Sequence, residues 1–249
     1  MIRKPLVAGN WKMHGSRAFV AAHLASLKSL GDGLAVEVAV FPPAVYLELA
    51  ARHLDGMAVA LGAQDLSLEE GSGAFTGEVS GAMLADVGCS LVLVGHSERR
   101  ALYGEGDQVV ANKFVAAWAA DLVPVLCVGE TLEQREDRRT REVVLAQLEA
   151  VAAVAGLDRL AASIIAYEPV WAIGTGMTAT PDQAQEVHRD IRQWLGARGE
   201  GTRILYGGSV KAANARELFS RPDIDGGLIG GAALVPEEFL AICSQADQR

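Results

Sequence analysis

The residues best suited to chemistry gather around one carboxylate. Glu168 closes the apolar run 163–167 and is followed at once by Pro169, Val170, Trp171, Ala172, Ile173, Gly174, Thr175 and Gly176. Pro169 biases the residue before it toward extended backbone, and the glycines permit the φ changes that a moving loop needs. The pattern fits a base at a strand end beneath a mobile lid; the plain alternative is a solvated strand-end carboxylate. Other candidates follow other apolar runs: Asn10 and Lys12, His96 and Glu98, Gly207-Gly208-Ser209, and Gly230-Gly231. A base that abstracts a proton beside a carbonyl needs donors at the oxygen that becomes anionic. An amide, an ammonium and an imidazole supply them. Paired glycines let loop amides approach a phosphate closely, although a single pair can also be only a turn. His96-Ser97-Glu98 matches the H-x-E of zinc deaminases, but P-C-x-x-C and a second histidine at ligand spacing are missing, so neither metal nor cofactor is expected.

These candidates require a frame. Short apolar runs lie at 6–8, 36–41, 57–63, 91–95, 122–128, 163–166, 203–206 and 227–229, and segments with helical spacing at 16–30, 43–53, 81–87, 107–119, 132–155, 181–195, 212–219 and 236–244. Thr180-Pro181-Asp182-Gln183 carries an N-cap, a first-turn proline and the glutamine of a capping box. Strands alternating with helices imply right-handed βαβ units and a parallel sheet. Eight of them without a composition break predict one (β/α)8 barrel domain over residues 1–249, with the site at the C-terminal ends of the strands. A doubly wound open sheet is the alternative. The glycine fingerprint and Walker A sequence usual in nucleotide-binding sheets of that kind do not occur.

Composition narrows the partners. The net charge of -9 argues against nucleic acid and against an anionic membrane surface, but not against a small anion held by a local field. No stretch approaches the roughly 18 uninterrupted apolar residues of a membrane span, and the first apolar run is too short for a signal peptide core. Cys89, Cys127 and Cys243 suggest neither a disulfide framework nor a zinc site. A cytoplasmic location is expected.

Several segments, in order along the whole chain, resemble the triosephosphate isomerase family: Asn10-Trp11-Lys12-Met13, Gly62-Ala63-Gln64, Gly73-Ala74-Phe75-Thr76-Gly77-Glu78, Gly95-His96-Ser97-Glu98-Arg99-Arg100, Cys127-Val128-Gly129-Glu130-Thr131, Tyr167 through Gly176, Tyr206-Gly207-Gly208-Ser209 and Ile229-Gly230-Gly231. The resemblance implies interconversion of dihydroxyacetone phosphate and glyceraldehyde 3-phosphate through an enediolate, in glycolysis and gluconeogenesis. It implies Glu168 as the base, His96 as the group exchanging protons with the two oxygens, and Lys12 and Asn10 as stabilisers of negative charge. The amides of Gly174, Ser209, Gly230 and Gly231 would grip the phosphate. Ile173 and Leu228 would dry Glu168 and raise its basicity, and Tyr206 and Ser209 would hold the closed lid. Glu98 and Cys127 would be supporting residues. Thr76, on the loop 64–78, would reach a neighbouring subunit's site in a homodimer.

The chain departs from the family pattern at His14, Asp65, Leu66, Met177 and Gly227, the last leaving an expected packing gap beside Leu228. Two other readings remain at this point: a Schiff-base aldolase using Lys12, and a barrel that binds a phosphorylated ligand without turning it over.

Overall fold

Alternate residues of the apolar runs enter two separate cores. Leu6, Ala8, Val125, Cys127, Ile164 and Ala166 belong to one cluster, while the intervening Val7, Leu126 and Ile165 belong to another. A strand buried on both faces must be covered on both, and a sheet closed on itself inside a ring of helices does this. The computed structural model describes residues 3–31, 34–173 and 177–247. Gly174, Thr175 and Gly176 of the expected lid, and with them one expected phosphate ligand, lie outside the described residues.

The strands are β1 (Leu6–Asn10), β2 (Glu37–Phe41), β3 (Val59–Ala63), β4 (Leu91–Val94), β5 (Val123–Val128), β6 (Ile164–Tyr167), β7 (Arg203–Tyr206) and β8 (Gly226–Ile229). They pair in parallel in chain order and β8 returns to β1, so the barrel is closed and the open-sheet alternative falls. Around it run α1 (Arg17–Ser26), α2 (Leu47–Leu54), α3 (Gly81–Asp86), α4 (Ser97–Tyr103), α5 (Asp107–Ala119), α6 (Leu132–Glu136), α7 (Thr140–Ala155), α8 (Leu157–Ala162), α9 (Pro181–Leu195), α10 (Ala212–Phe219) and α11 (Pro236–Asp247).

Where the sequence carried caps, the limits agree. Thr180 accepts from the Gln183 amide and Gln183 returns the bond, and α9 begins at Pro181 as expected. Elsewhere backbone geometry intervened. The segment 132–155 is two helices, because Arg138 adopts φ 60, a left-handed turn between α6 and α7. The segment 16–30 finishes as a 3-10 helix, Leu27–Leu30, and α4 and α8 are too short to show helical spacing. The gap expected at Gly227 is filled: a Cβ there would stand 2.8 Å from Ile229 Cδ1 and 3.3 Å from the Phe219 ring. Asp65 forms ion pairs with Lys113 at 2.6 Å and with Arg99 at 3.0 Å.

Candidate active site

Strand parity aims two of the candidates inward. Leu6 and Ala8 line the barrel interior, and Asn10, two residues on, ends β1 buried. Ile164 and Ala166 do the same in β6, so Glu168 continues the inward face one residue beyond the strand. Register then selects the neighbours of Glu168. Val128, Tyr167 and Tyr206 stand side by side at the ends of β5, β6 and β7. The layer above is Gly129, Glu168 and Gly207: the Glu168 amide donates to the Val128 carbonyl at 2.8 Å, and the Gly207 amide to the Tyr167 carbonyl at 2.7 Å. A Cβ on Gly129 would stand 1.8 Å from the Glu168 carbonyl oxygen, and one on Gly207 2.8 Å from Glu168 Cγ. The two flanking glycines give the glutamate its room.

The Glu168 carboxylate is 2% exposed. One oxygen accepts from the Ser97 backbone N–H at 2.9 Å, and the other takes the Ser97 hydroxyl at 3.3 Å and His96 Nε2 at 2.9 Å. Burial pushes its pKa up, yet His96, the Ser97 amide and Lys12 outweigh burial and hold it below the ordinary carboxylate value. The raised basicity expected from a dry site is thus masked while the carboxylate keeps these partners.

His96 is the N-cap of α4, and its Nδ1 accepts from the Glu98 amide at 3.2 Å. Burial drives the ring toward its neutral form, while the Glu168 carboxylate, which prevails as long as the pair is intact, raises its pKa. Against protonation of the second nitrogen stands the Glu98 N–H, which occupies the Nδ1 lone pair. The bonding pattern assigns a neutral ring with its proton on Nε2, aimed at Glu168.

Lys12 carries a left-handed φ of 50, a conformation that costs a residue with a side chain about 1–2 kcal/mol. Both of its backbone polar groups are held: the N–H by Asn10 Oδ1 at 2.9 Å and the carbonyl by Gln64 Nε2 at 2.8 Å. Its ammonium meets Glu98 Oε1 at 2.5 Å. A strained loop held by two side chains fixes where the cation points.

Lys12 and Glu168 line a cavity of about 680 Å3 together with Asn10, Ile173, Ser209, Leu228, Gly230 and Gly231. Both glycine pairs therefore share the cavity of the carboxylate. Ser209 lies before α10 and does not cap it: the N-cap is Lys211, and Glu238 accepts from the first-turn Ala212 amide at 2.7 Å. Cys127 is buried in the inner cluster, and burial, followed by Glu168, pushes its thiol up, which makes it a packing group and not a nucleophile.

The described start of the expected lid is tied to the barrel. Glu130 Oε1 accepts from the Tyr167 hydroxyl at 3.1 Å, the Trp171 indole at 2.9 Å and Arg135 at 3.2 Å. The Arg135 guanidinium also stacks 4.6 Å from the Trp171 ring centre. Tyr206 reaches the same end: it packs on Gly208, where a Cβ would stand 2.2 Å from the phenol oxygen and 3.0 Å from Pro169 Cγ. Thr76 is exposed and apart from these groups.

The structure thus brings together Asn10, Lys12, His96, Glu98, Glu168, Ser209, Gly230 and Gly231. It adds Ser97, Gln64, Glu130 and Gly129, for which residue type gave no role. Ser97 stood beside a candidate histidine, and all four lie in segments that carry the family resemblance.

The model of the family described as triosephosphate isomerase matches residues 5–246. Proteins of that name are similar over 98% of this chain and 99% of their own length: 59% identical in Thiobacillus denitrificans, 56% in Pseudomonas fluorescens and 55% in Pseudomonas aeruginosa.

Proposed function

Because the chain belongs to the triosephosphate isomerase family and so interconverts dihydroxyacetone phosphate and D-glyceraldehyde 3-phosphate, we propose that Glu168 is the base that carries a proton between the two carbons. In the arrangement described above, Glu168 faces His96 and Ser97. Substrate binding draws it away from both, which removes the partners that depress its pKa and leaves burial to raise it. The freed carboxylate takes a proton from the carbon beside the carbonyl and returns it to the neighbouring carbon. His96, relieved of Glu168, presents its Nε2–H to the carbonyl oxygen and moves protons between the two oxygens. Lys12 and the Asn10 amide stabilise the negative charge of the enediolate.

Ser209, Gly230 and Gly231 hold the phosphate, with Gly174 as a further amide, and the lid Pro169, Val170, Trp171, Ala172, Ile173, Gly174, Thr175 and Gly176 closes over it. An enediolate beside a phosphate can expel it, so gripping that group and excluding water suppresses a side reaction. Tyr206 holds the closed lid, and Ile173 and Leu228 cover Glu168.

The observation that best supports these roles is the convergence of Glu168, Lys12, Asn10 and both glycine pairs on one cavity, with His96 bonded to the carboxylate. The test is exchange of substrate carbon-bound hydrogen with D2O, followed by NMR. Wild-type chain exchanges it and Glu168→Gln does not; retained exchange in the variant would remove Glu168 as the base.

We further propose a homodimer in the cytoplasm. Support comes from large apolar side chains left exposed on the single chain, among them Phe75 at 44%, Leu102 at 72% and Met13 at 94%, with Thr76 on the same exposed loop as Phe75. Among the described residues no helix is long and apolar enough to cross a membrane. Sedimentation of the purified chain at micromolar concentration tests the dimer, and a monomer would end that reading.

A further inference from the structure

One buried imidazole away from the cavity touches both tyrosines that stand at the start of the lid. His188 lies on α9, fully buried, with Nδ1 3.2 Å from the Asp223 carbonyl oxygen. A carbonyl only accepts, so Nδ1 carries the proton and Nε2 keeps a lone pair, which has no hydrogen-bond partner among the described residues. Burial brings the pKa of the ring down to about 4, and the ring is neutral at physiological pH. One turn further along α9, Arg192 grips Asp223 at 2.7 Å and Asp225 at 2.6 Å, fixing the helix to the segment that receives the His188 bond.

The other side of the ring meets the site. Tyr167 stands edge-on to it, centroids 5.9 Å apart at 86°, and Tyr206 lies tilted at 6.4 Å and 42°. Both phenols serve the start of the lid. The Tyr167 hydroxyl donates to the Glu130 oxygen that also takes the Trp171 indole. Gly208, on which Tyr206 packs, also leaves room for Pro169, with Cγ 3.0 Å from where a Cβ would be.

We propose that His188 is a positioning residue for the lid, a neutral wedge that sets the two phenol rings against each other so that the start of the lid, Pro169 to Trp171, is held in place. It touches no substrate. The inference rests on the lid role assigned to Tyr206 above. Residue type matters on both sides of the ring: an aliphatic side chain leaves the phenols unsupported, and a phenyl leaves the Asp223 carbonyl without its donor.

The readout is the partition between isomerisation and elimination, in which the C–O bond to the phosphate breaks, its electron pair leaves with inorganic phosphate, and the remaining enol becomes methylglyoxal. For His188→Leu, phosphate released per isomerisation is expected to rise at least about 10-fold, with kcat lowered more than KM is raised. The 19F signal of 5-fluorotryptophan at Trp171, assigned with Trp171→Phe, shifts in the same variant. His188→Phe, which keeps a ring between the tyrosines, recovers most of both, and His188→Gln, which has an amide donor but no ring, takes the place of the leucine variant if that does not fold. Tyr206→Phe is the control for the lid itself. If Tyr206→Phe raises phosphate release while folded His188→Leu or His188→Gln matches wild type in partition and 19F shift, His188 has no such role and the lid reading stands. If Tyr206→Phe also leaves the partition unchanged, the lid reading fails and the role of His188 fails with it.

Discussion

Nε2 of His96 lies 2.9 Å from Oε1 of Glu168, so the proposed acid and the proposed base are bonded to each other across the space where the reacting atoms must enter. The pairing depresses the pKa of the carboxylate and raises that of the ring. In the proposed mechanism, substrate that separates the two groups removes the part of each shift that the pair creates. The separation would turn a weak base into a stronger one and free an N–H donor in a single movement, leaving the site where Ser97 holds the carboxylate.

A neutral amide at position 168 keeps the hydrogen bond from the Ser97 N–H but accepts no proton from carbon. Glu168→Gln is expected to lower kcat by at least about 100-fold, the lower end for loss of a general base. KM stays near wild type, because the phosphate contacts lie elsewhere in the cavity. Steady-state kinetics in the glyceraldehyde 3-phosphate direction checks this, and near-normal turnover would sink the mechanism.

Gly207 tests the register argument. Its would-be Cβ meets Glu168 Cγ at 2.8 Å and the Tyr167 carbonyl at 3.1 Å. Gly207→Ala therefore displaces the base without altering it, and a misplacement near 1 Å costs on the order of 100-fold in rate. The expected signature is a low kcat in a protein whose melting temperature moves only a few degrees. An alanine variant with wild-type turnover would show that the glycine serves only the backbone.

The barrel was legible because its signals are local and repeated: eight apolar runs, the capping box at Thr180, first-turn prolines. The limits of α5, α9, α10 and β7 follow the spacing residue for residue. The break at Arg138 was not legible, since no residue type marks a left-handed turn that an arginine adopts. The same division runs through the site. Glu168, His96, Lys12 and Asn10 betray themselves by chemical type at strand ends. The partners of Glu168 and Lys12 do not, because Ser97 meets Glu168 across 71 residues of chain and Gln64 meets Lys12 across 52. Their contribution is geometric, and geometry of that range exists only once the strands are in register.

The phosphate assignment makes an asymmetric prediction at the second glycine pair. A Cβ on Gly230 would stand 3.5 Å from Lys12 Cε, whereas around Gly231 the space within 4 Å is open. Gly230→Val crowds both the phosphate and the cation, so KM for the phosphorylated substrate should rise by about 10-fold or more, the worth of one hydrogen bond to a charged group. Gly231→Val crowds the phosphate alone and should leave kcat closer to wild type. An unchanged KM in both would count against phosphate binding at this loop.

Acid should weaken the fold through its buried histidines. His188, mainly through burial, titrates at about 4 in the folded chain against 6.5 for an ordinary histidine, and burial lowers His23 as well. Below 6.5 the unfolded chain takes up protons that the folded rings refuse, so their contribution is complete above that pH and is lost as pH falls toward 4. For His188 alone the loss by pH 5.5 is roughly 1.4 kcal/mol. His96, raised by Glu168, has the opposite sign: its contribution is present below 6.5 and lost as pH rises through its folded value. A comparison with His188→Phe cancels that term. Urea unfolding at one fixed protein concentration, at pH 7.5 and 5.5, should therefore show a stability loss smaller in the variant than in wild type by about that amount. Equal losses in the two proteins would mean that His188 takes up its proton in the folded chain, contrary to a neutral ring beside the lid tyrosines.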